Sequence, residues 1–157
     1  MKKLKIYLET TVFNRYFEPE RESCDETRIL FDEIAAGKFV AFASEYVLEE
    51  LARTEEPKRQ RMLDLLKRSC AAVFVKSEET DALARQYMLH NIISENHRYD
   101  RSHIACAAVN GMDAIVSFNF SHINRLSTKE KTELVNRLSG YPAVRIIQPL
   151  EVIGNDS

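Results

Sequence analysis

The sequence predicts a single α/β domain with a mainly parallel central sheet covered by helices on both faces. Two observations predict it. Short apolar runs of strand length alternate along the chain with longer amphipathic stretches of helical period. The first run, Leu4-Lys5-Ile6-Tyr7-Leu8, is mostly apolar instead of alternating, as a strand buried on both faces reads.

The elements follow in order. Leu4–Leu8 is the first strand, and a loop with a short helical piece (Val12–Phe17) closes at Pro19. Asp25–Ala36 carries Ile29, Leu30 and Ile34 on one stripe and stops at Gly37. Phe39–Ala43 is the second strand, after which Ser44 caps a helix to Arg53. A helix from Pro57 to Ser69 leads to the third strand, Ala72–Val75. Glu78–His90 is helical, Asn91–Tyr99 is polar, and the helix opened by Asp100 runs to Gly111. Ala114–Ser117 is the fourth strand. Thr128–Ser139 is the last helix, followed by Gly140 and Pro142, and Val144–Ile147 is the final strand, stopped by Pro149. With no repeat, linker or low-complexity segment, residues 1–150 read as one domain and 151–157 as a short tail.

Composition narrows the function classes. A chain of 157 residues suits one domain with a real core. The net charge of -2 gives no global basic field, so a nucleic-acid function needs a local basic patch or a bound metal. Cys24, Cys70 and Cys106 are odd in number and show no zinc spacing, which suggests reduced thiols and a cytoplasmic protein. Lys5 and Glu9 interrupt any secretory apolar run, and no stretch has transmembrane length, so no membrane partner is expected.

The acids carry the chemical signal. Glu9 ends the first strand, Asp100 opens a helix, and Asn119 follows the fourth strand. Strand ends and helix starts line the ligand crevice of an open α/β sheet. An acid ending a buried strand needs partners or a cation to offset its desolvation. On the helix after Ser44, Val47, Leu48 and Leu51 form the apolar stripe. Glu50 lies roughly 105° from its centre and flanks the buried face, whereas Glu49 lies on the far side. Each residue also has a plainer role: Glu50 as a surface helix acid, Asp100 as an N-cap, and Asn119 as a turn residue.

Around these acids, Thr10 or Ser117 is placed to position phosphate or water, or to make a turn bond. His90, His97, His103 and His122 show no zinc spacing with the cysteines, and His103 reads as a packed helix residue with local hydrogen bonds. Arg15, Arg98 and Arg101 are placed to contact phosphates or to remain solvated. Tyr16, Phe17, Phe118 and Phe120 are either base-stacking or core residues.

Four segments taken in order resemble the PIN-domain nucleases, and more narrowly the VapC-type toxins of toxin–antitoxin operons. They are Ile6-Tyr7-Leu8-Glu9-Thr10-Thr11-Val12, then Ser44-Glu45-Tyr46-Val47-Leu48-Glu49-Glu50-Leu51, then Asp100-Arg101-Ser102-His103-Ile104-Ala105-Cys106-Ala107, and finally the run from Asp113 to Ile123. The resemblance extends to Ile147-Gln148-Pro149-Leu150-Glu151. It implies a single PIN-like domain and a divalent-metal-dependent endoribonuclease. The family's acidic positions fall on Glu9, Glu50, Asp100 and Asn119, which as catalytic and metal-binding residues would hold Mg²⁺ or Mn²⁺. It further implies an RNA substrate, a cognate antitoxin and a homodimer. Glu9 and Asn119 depart from the commonest pattern, in which the first position is usually Asp and the fourth is acidic. A housekeeping PIN nuclease and a catalytically degenerate PIN-fold interaction module are the alternatives.

Overall fold

The computed structural model describes residues 2–93, 97–119 and 121–154. Among the described residues, five strands form one sheet: β1 (Leu4–Leu8), β2 (Phe39–Ser44), β3 (Cys70–Phe74), β4 (Ala114–Val116) and β5 (Arg145–Ile147). Their order is β3-β2-β1-β4-β5, and every pairing is parallel. The expected mainly parallel sheet is therefore wholly parallel. Ile6, Tyr7 and Leu8 of the central strand are fully buried, which explains its unbroken apolar run.

Among the described residues, seven α-helices connect the strands: α1 (Thr10–Tyr16), α2 (Ser23–Ala35), α3 (Glu45–Leu51), α4 (Lys58–Ser69), α5 (Glu78–Leu89), α6 (Arg98–Val109) and α7 (Leu126–Leu138). Right-handed crossovers put the helices between β1 and β3 on one face and those between β3 and β5 on the other. The contacts agree: α1, α2 and α4 touch one another, and α5 touches both α6 and α7. α3 begins at the C-terminal end of β2 and contacts both α4 and α6, so it bridges the two groups.

This winding reverses between β1 and β4. A reversal opens a crevice beyond the C-terminal ends of the two strands, because their connections leave toward opposite faces. Leu8 pairs with Val116 there, and the Glu9 amide donates to the Val116 carbonyl at 3.1 Å. Glu9 and the segment after Val116 thus enter the same crevice.

Several element starts differ from the sequence expectation. α1 begins at Thr10, directly after Glu9, and α6 begins at Arg98, so Asp100 sits inside its first turn instead of capping it. β3 begins at Cys70, and α7 begins at Leu126. Ser44 caps α3 as expected, accepting from the Val47 amide at 3.4 Å. Gly37 ends α2 at φ 83°, a backbone conformation that L side chains rarely adopt. All three cysteines are free thiols. Past residue 150, Val152 is buried and the Gly154 amide donates to Glu33. Among the described residues, no helix is long and apolar enough to cross a membrane. Phe120, a base-stacking candidate, and part of the polar stretch before α6 lie outside the described residues.

Candidate metal centre

Glu9 lies in the joint between β1 and α1 and is only 2% exposed. It occupies the N-cap position of α1 but makes no capping bond with its side chain. Its Oε1 instead accepts from the hydroxyls of Thr11 and Ser117, the latter at 2.7 Å. Both hydroxyls are themselves oriented by backbone amides. Phe118 N–H donates to Thr11 Oγ1 at 2.9 Å, and Asn119 N–H donates to Ser117 Oγ at 2.9 Å. With their lone pairs committed to amides, the hydroxyl protons point at the carboxylate. Burial nevertheless raises the Glu9 pKa, with Glu50 adding to the rise, against the opposing pull of His103 and the two hydroxyls.

Glu50 projects from α3 and accepts on Oε1 from Thr10 Oγ1 at 2.6 Å and from His103 Nε2 at 2.5 Å. His103 is fully buried on α6, and its Nδ1 lies 2.6 Å from the Tyr7 hydroxyl, which lies 2.6 Å from Ser44 Oγ. When the imidazole is charged, both nitrogens donate, to Glu50 and to Tyr7. When it is neutral, Nδ1 accepts the Tyr7 proton. Burial disfavours the charged ring, but Glu50, Glu9 and Asp100 outweigh it and raise the His103 pKa. Burial would likewise raise Glu50, yet the hydrogen bond and charge of His103, with Thr10 and Arg53, hold it low.

Asp100 is 7% exposed in the first turn of α6. Among the described residues, no donor hydrogen-bonds its carboxylate. Its pKa is pushed up to about 6 by burial first, and then by the charges of Glu9 and Glu50, with His103 and His97 opposing. Three carboxyl groups against one imidazole leave an excess of acidic groups in a buried crevice. A hard divalent cation neutralises that excess and takes carboxylate oxygens as ligands, so the residues fit Mg²⁺ or Mn²⁺.

The expected site residues fall into two adjoining groups. Ligand atoms of Glu9, Glu50 and His103 lie within 4.8 Å of one another, as do those of His97, Asp100 and His122. Asp100 is thus grouped geometrically with two histidines and linked to Glu9 and Glu50 through charge. Asn119 lies beside them, but its Oδ1 accepts from the His122 amide at 3.2 Å, the turn bond that its position also suggested. The His97 and His122 rings lie 3.7 Å apart. Burial, His97 and Arg125 all lower the His122 pKa.

Other placements differ from the sequence reading. His103 bonds across the fold instead of locally. Arg101 is buried, donating to the Ile93 carbonyl at 3.0 Å, and is not presented to phosphate. Arg15 stacks over Phe118 and pairs with Glu18. Phe118 is a core residue, only 4% exposed. Glu49 points outward to Lys76 and Tyr99, as its helical angle predicts. The sequence reading missed Tyr7 and Thr11. The signals were there: a polar ring in an apolar strand, and a second threonine after Glu9. Beside His122, Arg125 and Lys131 line a polar cleft of about 320 Å³ with Ser121, Ser127 and Thr128.

No protein-family profile and no curated protein sequence matches the chain. Solved structures do match. One is VapBC2 from Rickettsia felis bound to a DNA fragment from its promoter, at 14% identity and TM-score 0.57, covering 92% of this chain and 98% of that one. The chain has a VapC-like PIN fold. A second VapC structure is VapC20 of Mycobacterium tuberculosis, described as a sarcin–ricin loop cleaving toxin, at 15% identity and TM-score 0.55. That match covers 74% of this chain and 91% of VapC20. At such identities the likeness establishes the PIN fold, and the chemistry rests on this chain's own residues.

Proposed function

We propose that this protein is a divalent-metal-dependent endoribonuclease acting as the toxin of a toxin–antitoxin pair. The observation that carries the reading is the pair Glu9 and Asp100. Both carboxylates are buried in the crevice, burial raises both pKa values, and Glu9 adds to the rise at Asp100. Glu9, Glu50, Asp100 and Asn119 are the residues that would hold Mg²⁺ or Mn²⁺. Once bound, such an ion neutralises charge on a scissile phosphate and activates water. Ser117 and Thr11 fix the oxygen of Glu9 that faces them and leave its other oxygen for a ligand. His103 and Thr10 do the same for Glu50. The basic cleft of Arg125 and Lys131 supports a phosphodiester substrate despite the net negative chain.

The VapBC2 neighbour is a complex bound to a DNA fragment from its promoter, and VapC20 is described as a sarcin–ricin loop cleaving toxin. The first supports an antitoxin partner and the second a nuclease toxin, and RNA is the substrate proposed here. A homodimer accords with Leu134 and Leu138 of α7, which are 54% and 72% exposed. The test is cleavage of labelled RNA pools by purified protein in Mg²⁺, in Mn²⁺ and with chelator. Cleavage that needs the ion and disappears in Asp100→Ala supports the reading. Metal-independent or absent cleavage, with no Mn²⁺ binding, points to an interaction module instead.

A further inference from the structure

His97, Asp100 and His122 form a cluster of a different chemical kind from the acid pair beside it. His97 is the N-cap residue of α6, yet its ring makes no capping bond. Asp100 follows three residues later, on the same face of the first turn. His122 comes from the segment between β4 and α7, and its backbone is held at both ends. Its amide donates to Asn119 Oδ1 at 3.2 Å, and its carbonyl accepts from Thr128 Oγ1 at 2.7 Å. The three ligand atoms lie within 4.8 Å of one another, and the two rings lie 3.7 Å apart. Among the described residues, neither ring makes a hydrogen bond, and the Asp100 carboxylate, 7% exposed, receives none.

We infer that His97, Asp100 and His122 bind a borderline transition-metal ion of the Zn²⁺ class, separate in ligand chemistry from the Mg²⁺ or Mn²⁺ proposed at the acids. Hard Mg²⁺ takes oxygen ligands and keeps its waters, so two imidazoles disfavour it. Zn²⁺ and Co²⁺ accept imidazole nitrogen together with carboxylate oxygen. Two histidines and one carboxylate leave a coordination position for water or for a phosphate oxygen, and the basic cleft shares His122. Asp100 is common to this group and to the proposed nuclease site, so an ion here changes the affinity of the acids for theirs, and the reverse holds by linkage.

The inference shares Asp100 with the proposed nuclease site, and the experiment separates the two. Co²⁺ is titrated into the purified protein, and its visible absorption reports nitrogen and oxygen ligation without any turnover. The wild type should bind one strongly absorbing Co²⁺, displaced by Zn²⁺ but not by a large excess of Mg²⁺. His97→Gln and His122→Gln should each weaken it by more than the roughly 10–100-fold that outer-sphere changes produce. Asp100→Asn should weaken it as well, whereas Glu9→Gln should keep it. Circular dichroism checks the fold of each variant. Unchanged Co²⁺ spectra in both histidine variants, displacement by Mg²⁺, or no binding at all overturns the inference. Loss of Co²⁺ in Glu9→Gln alone places the ion at the acids, which also overturns it and leaves the nuclease reading standing. Absent RNA cleavage with intact histidine-dependent Co²⁺ binding sinks the nuclease reading alone.

Discussion

Ser117 Oγ donates to Glu9 Oε1 at 2.7 Å, joining the segment after β4 to the residue that ends β1, 108 positions away in sequence. The same hydroxyl accepts the Asn119 amide at 2.9 Å, so one serine fixes both a buried carboxylate and the following turn. Ser117→Ala removes both bonds. Leaving a buried charged acceptor short of a donor costs roughly 1–3 kcal/mol. Hydrogen bonds to the ionised form favour it. The loss in metal-free protein should therefore be larger at high pH, where the ionised form of Glu9 is favoured, than in acid, where it is protonated and the Asn119 bond is the main one missing. Urea melts at the two pH values measure this. An equal loss at both would mean that the hydroxyl serves only the turn.

Asp100 sets the pH response of the metal-free protein. Its folded pKa of about 6 lies well above the usual range of an aspartate carboxyl. Ionising it therefore costs stability, beginning above the unfolded value and complete above the folded one. The shift corresponds to a cost on the order of 3 kcal/mol. His103 works in the same sense, because a raised histidine pKa contributes stability below its unfolded value and loses it as pH rises through the folded one. The chelated protein should therefore melt higher at pH 5.5 than at pH 7.5. Asp100→Asn should stabilise it at pH 7.5 or leave it unchanged, and should flatten the slope. Clear destabilisation by this substitution would mean that the carboxylate has a structural partner.

Tyr7 shows why part of this centre was not legible beforehand. β1 was readable because a strand buried on both faces writes itself into local sequence as an apolar run. Ser44 was readable because capping is a local event. The partners of Tyr7 and His103 are not local: His103 lies 96 positions from Tyr7 and 53 from Glu50. Period and spacing carry no trace of such pairings, so His103 read as a residue with neighbourly bonds. Arg101 was misread for a related reason. Its burial depends on a carbonyl at Ile93 that only the fold brings close. Asp100 resembled an N-cap because Asp is favoured both at the cap and within the first turn, where the helix dipole attracts it.

Tyr7→Phe tests that buried chain directly. It keeps the ring packing and removes the hydroxyl between His103 Nδ1 and Ser44 Oγ. A buried imidazole nitrogen left without a partner costs roughly 1–3 kcal/mol. The charged ring loses its acceptor, so the His103 pKa should fall. Thermal melts give the first quantity, and nuclear magnetic resonance titration of the imidazole gives the second. A variant as stable as the wild type, with the same titration, would show that the chain does not hold the histidine.

Glu49 and Glu50 provide the sharpest contrast, because they are adjacent and carry the same charge. Glu49 faces solvent and pairs with Lys76. An exposed, solvent-screened pair of this kind contributes little, so Glu49→Gln should leave cleavage and stability nearly unchanged. Glu50 faces the crevice and takes bonds from Thr10 and His103. Glu50→Gln removes a proposed metal ligand and also the carboxylate that holds the imidazole charged, so the His103 pKa should drop. Cleavage in Mn²⁺ should fall by at least about tenfold, as changes near bound metals commonly do. Both variants lose one negative charge from the same helix, so a general electrostatic effect would slow them equally. Rates in saturating Mn²⁺, with circular dichroism to confirm folding, decide the matter. Equal rates for the two variants would remove Glu50 from the proposed metal site, leaving it as the residue that anchors His103.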